Sequence, residues 1–273
     1  RSFAKDESMY AMRIGPKFGH LALSALNRRD IQKWHNDLLG EGLSPASCNH
    51  HVVFFRRVLN LAVSWELLDR NVLRAIPLMP LDNMRDVYMT PQQTQRLVEV
   101  LSTDANRPVC SILLFLLNTG ARKMEAVQAK WADIDLENRV WKIPAANSKN
   151  KRAKSMPLSD GSLQVLNQLD SKGNSIYLFP NPATGLPYSG FMRVWYRLRK
   201  KANLPENMRT HDLRACLAER LLGQGASLYL VQRLLSHQDS RTTLRYARLA
   251  PQALLDGANL ASVSMPLVQA RAV

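Results

Sequence analysis

His211–Tyr246, HDLRACLAERLLGQGASLYLVQRLLSHQDSRTTLRY, is the stretch on which the reading of this chain turns. It holds His211 and Arg214 as a His-x-x-Arg pair, His237 behind Leu234-Leu235-Ser236, and Tyr246 nine residues further on. At about 3.6 residues per turn, His211 and Arg214 fall on neighbouring strips of one helix face, so an imidazole and a guanidinium can reach the same ligand atom. That is a grip suited to an anion. One such pair is weak evidence: with six His and 25 Arg in 273 residues, chance alone supplies roughly half of one. The surrounding sequence has to supply the rest.

Immediately upstream, Phe191, Val194, Trp195 and Leu198 share one helical face, while Arg193, Arg197, Lys200 and Lys201 share the other, which carries no acid of its own. A helix so divided packs its apolar side and can lay Arg193, Arg197 and Lys200 on a phosphate backbone. Further back, Trp131–Leu158 changes to short alternating runs, predicting strands over 132–136, 139–143 and 154–158, with Glu137-Asn138 as a turn. The tip between the last two strands is Ser148-Lys149-Asn150-Lys151-Arg152, a basic finger shaped to enter a groove and touch phosphates. Before it, a helix that is apolar nearly all round ends at Asn118-Thr119-Gly120, and Gly120 supplies the left-handed turn of a tight corner. Arg122 then stands in the first turn of the next helix, where free amides favour anions, with Glu125 placed to clamp its guanidinium.

Thr90-Pro91-Gln92-Gln93 has the cap, first-turn proline and third-position glutamine of a capping box, so a domain begins there. Residues 75–89, with two prolines and no sustained period, predict an extended linker. Ahead of it, Ile31, Trp34 and Leu38 recur at helical spacing up to Gly40 and Gly42. Ser44-Pro45 opens a second helix whose Cys48, Val52, Phe55, Leu59 and Ala62 form one stripe. Arg56 and Arg57 interrupt that helix on its flank as further possible phosphate contacts. His50 and His51, being adjacent, point about 100° apart and cannot make a helical zinc pair. The expected architecture is mainly α with a small antiparallel β-sheet in the second domain, an α+β chain divided as 1–74, 75–89 and 90–273, with a tail from about 250.

Charge narrows the partner. The chain carries a formal +15, and residues 87–273 hold 25 Lys and Arg against 13 Asp and Glu, a surplus that suits a polyanion such as nucleic acid. Cys48, Cys110 and Cys216 lack Cys-x-x-Cys spacing, so neither a disulfide framework nor a zinc site is indicated, and a reducing compartment fits. The longest largely apolar run, Val109–Leu117, is far short of the roughly 20 residues of a membrane span. The chain opens on Arg rather than Met, as a fragment or processed product would.

Taken together, Arg122, Lys149, His211, Arg214, His237 and Tyr246, in that order, resemble the active-site set of the tyrosine recombinases, the phage-integrase family of site-specific DNA recombinases. The motifs that carry the resemblance are Thr119-Gly120-Ala121-Arg122-Lys123-Met124-Glu125, His211-Asp212-Leu213-Arg214, and Leu234-Leu235-Ser236-His237 followed by Thr243-Leu244-Arg245-Tyr246. Two positions depart from the family pattern: Ala215, where many members have a second His, and Ser236, where Gly is commonest. The resemblance extends to nearly the whole chain, implying a helical core-binding domain before a catalytic domain.

What the resemblance implies is chemically coherent. Two planar guanidiniums, Arg122 and Arg214, clamp the nonbridging oxygens of a phosphodiester in place of metal ions. Tyr246 is the nucleophile; its phenol, with an ordinary pKa of about 10, needs a base or a positive field, and His211 is the candidate base. Lys149 protonates the departing 5′ oxygen, and His237 hydrogen-bonds the phosphate. The expected product is a 3′-phosphotyrosyl joint, made without metal, nucleotide or other cofactor. Lys151, Arg152, Arg56, Arg57, Arg193, Arg197 and Lys200 are the expected further DNA contacts. Implied partners are double-stranded recombination sites, a homo-tetramer on DNA and accessory DNA-bending proteins, with no membrane, in a bacterial cytoplasm at the nucleoid. A phage or integrative mobile element is the expected source. The competing readings are a type IB topoisomerase-like strand transferase and a noncatalytic DNA-binding regulator. A cysteine hydrolase using Cys216 with His211 is disfavoured, because five helical residues turn the two side chains apart.

Overall fold

A computed structural model describes residues 3–81, 87–247 and Asn259. The described chain falls into two compact units, divided between Met84 and Arg85.

The first unit is helical. α1 (Phe3–Met9) passes through a wider, π-type turn at Tyr10–Ile14 into α2 (Gly15–Phe18), and is followed by α3 (Arg28–Gly40) and α4 (Pro45–Ser64). α3 and α4 begin as their sequences predict: Asn27 accepts from the amide of Asp30, and Ser44 accepts from that of Ser47 with Pro45 in the first turn. Ile31, Trp34 and Leu38 of α3 meet Cys48, Val52, Phe55 and Leu59 of α4. Phe18 completes the core edge-on to Trp34, with ring centroids 5.4 Å apart. The 3–18 helix has no clear apolar stripe to announce it, and only Ile14 and Phe18 reach the core. Ile76 is buried in this unit and Met79 packs against it, pinned by Asn49, which donates to the Met79 carbonyl at 2.9 Å. Val87 and Met89 are buried in the other unit's core. Both ends of the stretch expected as linker are therefore packed, and 82–86 lie outside the described residues.

Arg56 and Arg57 already have partners here. Arg56 donates to the carbonyl of Ile76 at 2.8 Å; Arg57 pairs with Asp6 and lies over the Phe54 ring. His51 bonds the Ser47 carbonyl within its own helix, at 2.7 Å.

The second unit is built around α6 (Arg107–Thr119), whose Val109, Cys110, Ile112, Leu113, Phe115, Leu116 and Leu117 are all buried. α5 (Pro91–Thr103), started by the Thr90–Gln93 capping box, packs on it, as do α7 (Lys123–Val127), α8 (Asp160–Asn167) and α10 (Asp212–Gly223). The sheet has order β1 (Ile134–Asp135), β2 (Val140–Ile143), β3 (Lys154–Pro157), antiparallel throughout, with Trp141 opposite both Ile134 and Met156. Trp141, Ile143 and Met156 turn inward, and Trp141 meets Phe115 with centroids 5.2 Å apart. Burying one such ring contributes about 1.5–3 kcal/mol. The first strand is shorter than its sequence predicts: Asp133 accepts from the Lys130 amide and draws Trp131–Asp133 into a 3-10 turn, so pairing starts only at Ile134. α9 (Met192–Lys201), α11 (Leu228–Leu234) and α12 (Ser240–Leu244) complete the described part. α12 is capped by Asp239, whose side chain accepts from the Arg241 amide. The tail expected from about 250 lies outside the described residues, apart from Asn259. Among the described residues no helix is long and apolar enough to cross a membrane.

Candidate active site

The ends of α6, α10 and α11 meet at one corner, and the corner depends on Gly120. Its φ of +63° is left-handed, and an added Cβ would stand 2.7 Å from a Leu217 methyl and 2.8 Å from a Leu235 methyl. The left-handed backbone favours glycine, and any added Cβ would force both leucine methyls to move. The turn delivers Arg122 to the cap of α7, where Glu125 accepts from its backbone N–H and from its Nη1, each at 3.1 Å. Glu125 is 2% exposed, and Lys154 of β3 donates to its second oxygen at 2.8 Å. Burial disfavours the charge on Glu125, yet Lys154, the Arg122 amide and the Arg122 guanidinium outweigh it and hold the carboxyl below its usual range. The clamp that the sequence suggests for Arg122 is therefore a chain of three residues, and the third, Lys154, was not singled out from sequence.

Arg214, 5% exposed, reaches from the first turn of α10 to donate through Nη1 to the Gly120 carbonyl and through Nη2 to the Leu235 carbonyl. One guanidinium so ties the end of α6 to the end of α11. Arg220, two turns on, donates to the Leu117 carbonyl at 2.7 Å, so the free carbonyls at the end of α6 are met by arginines of α10. Burial first, and then the neighbouring Arg122, lower the pKa of Arg214 to about 10, which still leaves it charged at neutral pH. Two of its five N–H groups are thus on carbonyls.

His211 stands at the N-terminal end of α10 without a capping side-chain bond, and its pKa is lowered by burial and by Arg214, Arg122 and Lys149, against an opposing pull from Asp212. The imidazole is neutral near pH 7. His237 stands with Nδ1 2.8 Å from the buried hydroxyl of Thr243 and with its ring stacked on that of Tyr246, centroids 6.5 Å apart and planes 17° from parallel. Tyr246, 6% exposed, packs on Ala218, Leu222, Val231 and Leu235. Burial raises its phenol pKa while Arg214 and Arg245 pull it down, so the phenol lies within the field of Arg214.

Lys149 is exposed at the hairpin tip. Its neighbours Ser148 and Asn150 line an open basin of about 590 Å³, together with Arg122, Lys154, His237, Arg152, Gln232 and Arg233. Lys151, with φ +51°, is exposed at the same tip. On α9, Arg193 and Lys200 are exposed, but Arg197 grips Asp104 through two nitrogens at 2.6 and 2.7 Å, with Lys201 3.6 Å from the same carboxylate. The acid that this basic face lacks in its own sequence comes from a residue 93 positions earlier, so Arg197 serves the fold. Cys216 is buried and its thiol is pushed up to about 12, unsuited to nucleophilic chemistry near neutral pH. Among the described residues, no three His, Cys, Asp or Glu side chains gather as metal ligands would.

A family model described as the phage integrase family matches residues 87–253. The chain belongs to the phage integrase family. Its relatives include the integrase of Salmonella phage P22, 27% identical over 220 residues, covering 76% of this chain and 55% of that protein. Tyrosine recombinase XerD of Rickettsia prowazekii is 27% identical over 245 residues, covering 81% and 77%. The chain thus spans little more than half of the phage P22 integrase. A solved structure of the Tn1549 transposon integrase in complex with circular intermediate DNA shares the fold, with a TM-score of 0.78 and 19% identity over 96% of this chain and 94% of that one. This family member departs from the common third motif at Ser236, and the backbone gives the reason that Gly is favoured there: φ is +51°. Left-handed backbone costs a residue with a Cβ about 1–2 kcal/mol, partly offset by the greater unfolded-state freedom of glycine. Ser236→Gly is therefore expected to raise stability by about 0.5–1 kcal/mol, read as a higher urea midpoint with an unchanged slope.

Acid should weaken the fold through His237. Burial and then the positive charges of Arg214 and Arg122 lower its pKa from the ordinary 6.5 to about 4. Between those values the unfolded chain binds the proton and the folded chain does not, so stability falls as pH drops from about 6.5 to 4 and levels off below. His211 acts in the same direction. Urea unfolding at pH 7 and pH 5 should show the parent losing more stability than a His237→Gln variant by on the order of 1 kcal/mol, after allowance for solvent screening.

Proposed function

We propose that the chain is the core-binding and catalytic portion of a site-specific DNA recombinase of a phage or integrative mobile element, cleaving and rejoining strands through a 3′-phosphotyrosyl intermediate. The observation that carries this reading is the meeting, at one corner of one unit, of Arg122, Arg214, His211, His237 and Tyr246 from segments up to 124 residues apart. A scissile phosphate placed against Arg122 and Arg214 has its nonbridging oxygens neutralised as negative charge gathers in the transition state. The Tyr246 oxygen attacks phosphorus, the bond to the 5′ oxygen breaks, His211 accepts the phenolic proton and Lys149 donates one to the departing oxygen. The neutral state of His211 suits a base. If the Thr243 hydroxyl donates to Nδ1 of His237, that ring presents Nε2–H to the phosphate. Attack by a 5′ hydroxyl on the phosphotyrosyl joint reverses the step without an external energy source.

Double-stranded DNA sites are the proposed partners, with four protomers on two sites and accessory DNA-bending proteins completing the assembly. The DNA partner is supported by the charge surplus, and the four-protomer assembly by lambda integrase, a member of this fold that was solved as a tetramer bound to a Holliday junction. Action on bacterial DNA in the cytoplasm follows from the same reading. The test uses a pool of duplexes of randomised sequence, each nicked beside its centre so that the cleaved end diffuses away. The expected result is DNA covalently held by protein after denaturing electrophoresis, with the label on the peptide containing Tyr246. Tight binding with no adduct from any member of the pool would instead leave a noncatalytic DNA-binding protein.

A further inference from the structure

Among the described residues the imidazole of His237 has one hydrogen bond, and the direction of that bond decides what the ring can do. Its Nδ1 lies 2.8 Å from Oγ1 of Thr243, a side chain only 2% exposed. Its Nε2 has no such partner, and the residue lines the basin beside Arg122. Thr243 also accepts the amide of Tyr246 on its carbonyl, at 2.9 Å. One residue of α12 thus touches His237 through its side chain and the nucleophile through its backbone, and the two rings it governs are stacked.

A neutral imidazole carries one N–H, and the partner of one nitrogen decides which nitrogen has it. Burial, with Arg214 and Arg122 beside it, keeps His237 neutral near pH 7, so that choice falls to Thr243. A hydroxyl can donate or accept. Were Nδ1 the donor, the hydroxyl proton would need a second acceptor inside the fold. Helical threonines often find one in the carbonyl a turn back, as Thr119 does with Phe115 at 2.7 Å and Thr103 with Glu99 at 2.9 Å. Thr243 makes no such bond: among the described residues its hydroxyl meets only Nδ1. It is too buried to turn to water, so its proton goes to Nδ1. The opposite arrangement would also aim the Nε2 lone pair at an arriving anion.

We propose that Thr243 is a positioning residue whose hydroxyl donates to Nδ1 and fixes His237 as the Nε2–H tautomer, presenting a donor to the substrate phosphate. This deepens the function proposed above and rests on it for the identity of the anion. It also gives His237 a single role, because a ring locked in this tautomer has no free nitrogen to take the proton of the Tyr246 phenol.

The test combines nitrogen-15 resonances of the labelled histidine rings, with His237 assigned from a His237→Ala variant, and single-turnover adduct formation on the nicked duplexes at saturating DNA. At pH 7 the parent should show Nε2 protonated and Nδ1 as a hydrogen-bonded acceptor. Thr243→Val keeps the shape and removes the hydroxyl. It should shift the Nδ1 signal and slow the adduct by about tenfold, as misalignment of one group does, with DNA binding within about twofold. Thr243→Ser should restore the signal and bring the rate within about threefold of the parent. In the His237→Ala background Thr243→Val should cost nothing further, since the two side chains act as a unit. A parent protonated at Nδ1 overturns the proposal, as does a Thr243→Val protein that keeps the parent's rate. So does an equal loss in the His237→Ala background, which would make Thr243 part of the packing only. Should valine unfold the protein, the parent's nitrogen signals and the serine variant still decide the question. A parent that makes no adduct yet shows the expected signals, altered by valine and restored by serine, would sink the cleavage reading and leave the tautomer lock standing.

Discussion

A Tyr246→Phe protein is expected to form no covalent joint with any nicked duplex, a loss of at least about 10⁴-fold, while binding DNA within about twofold of the parent. The ring fills a niche made by Ala218, Leu222, Val231 and Leu235 and stacks on His237, and phenylalanine keeps all of that. Removing one oxygen therefore leaves the fold as stable as before, so a lost adduct reports chemistry rather than unfolding. The phenol is held protonated by burial, with Arg214 and Arg245 pulling the other way; a base or the arriving phosphate has to release it. Should the variant still make an adduct, the nucleophile lies elsewhere. Tyr88, whose phenol is raised by burial and then by the nearby Tyr246, would be the first residue to replace.

The second large effect is at Arg214. Arg214→Lys should slow adduct formation by about 10²–10³ at saturating DNA and lower stability by about 1–3 kcal/mol. A guanidinium bridges the Gly120 and Leu235 carbonyls; one ammonium cannot span both carbonyls in that planar arrangement. An orphaned carbonyl at the end of α6 or α11 then loosens the corner that carries Arg122 and His237. Single-turnover rates and urea unfolding on the same preparation separate the two contributions. A variant with parental rates would show that the clamp needs only charge at this position, against the geometry argued here. Arg122 is expected to be less costly to stability, because its guanidinium is partly exposed and Glu125 retains Lys154 as a partner.

Much of this arrangement was legible in the chain because it is local. The capping box at Thr90–Gln93, the cap at Ser44, the left-handed corner at Gly120 and the Arg122–Glu125 contact each lie within four residues, where steric and hydrogen-bonding rules act without help from the fold. The all-round apolar character of α6, which marks a central helix, and the alternation of β2 were equally readable from the residues. The outer strip of α11 had the same kind of signal, Tyr229, Gln232 and Arg233 at helical spacing, but polar strips ordinarily mean only solvent.

By itself, then, the sequence determined the mixed α+β character, most helix starts, and the identity and order of the motifs that mark the family. Tertiary structure alone decided which cations are spoken for. Asp104 takes Arg197 across 93 residues, Asp6 takes Arg57 across 51, and Lys154 joins Glu125 across 29, whereas Arg152 and Arg233 are left facing the basin. The physical reason is that a charge's partner is set by distance in space and by burial, and neither has a period along the chain that a reader of residues can detect.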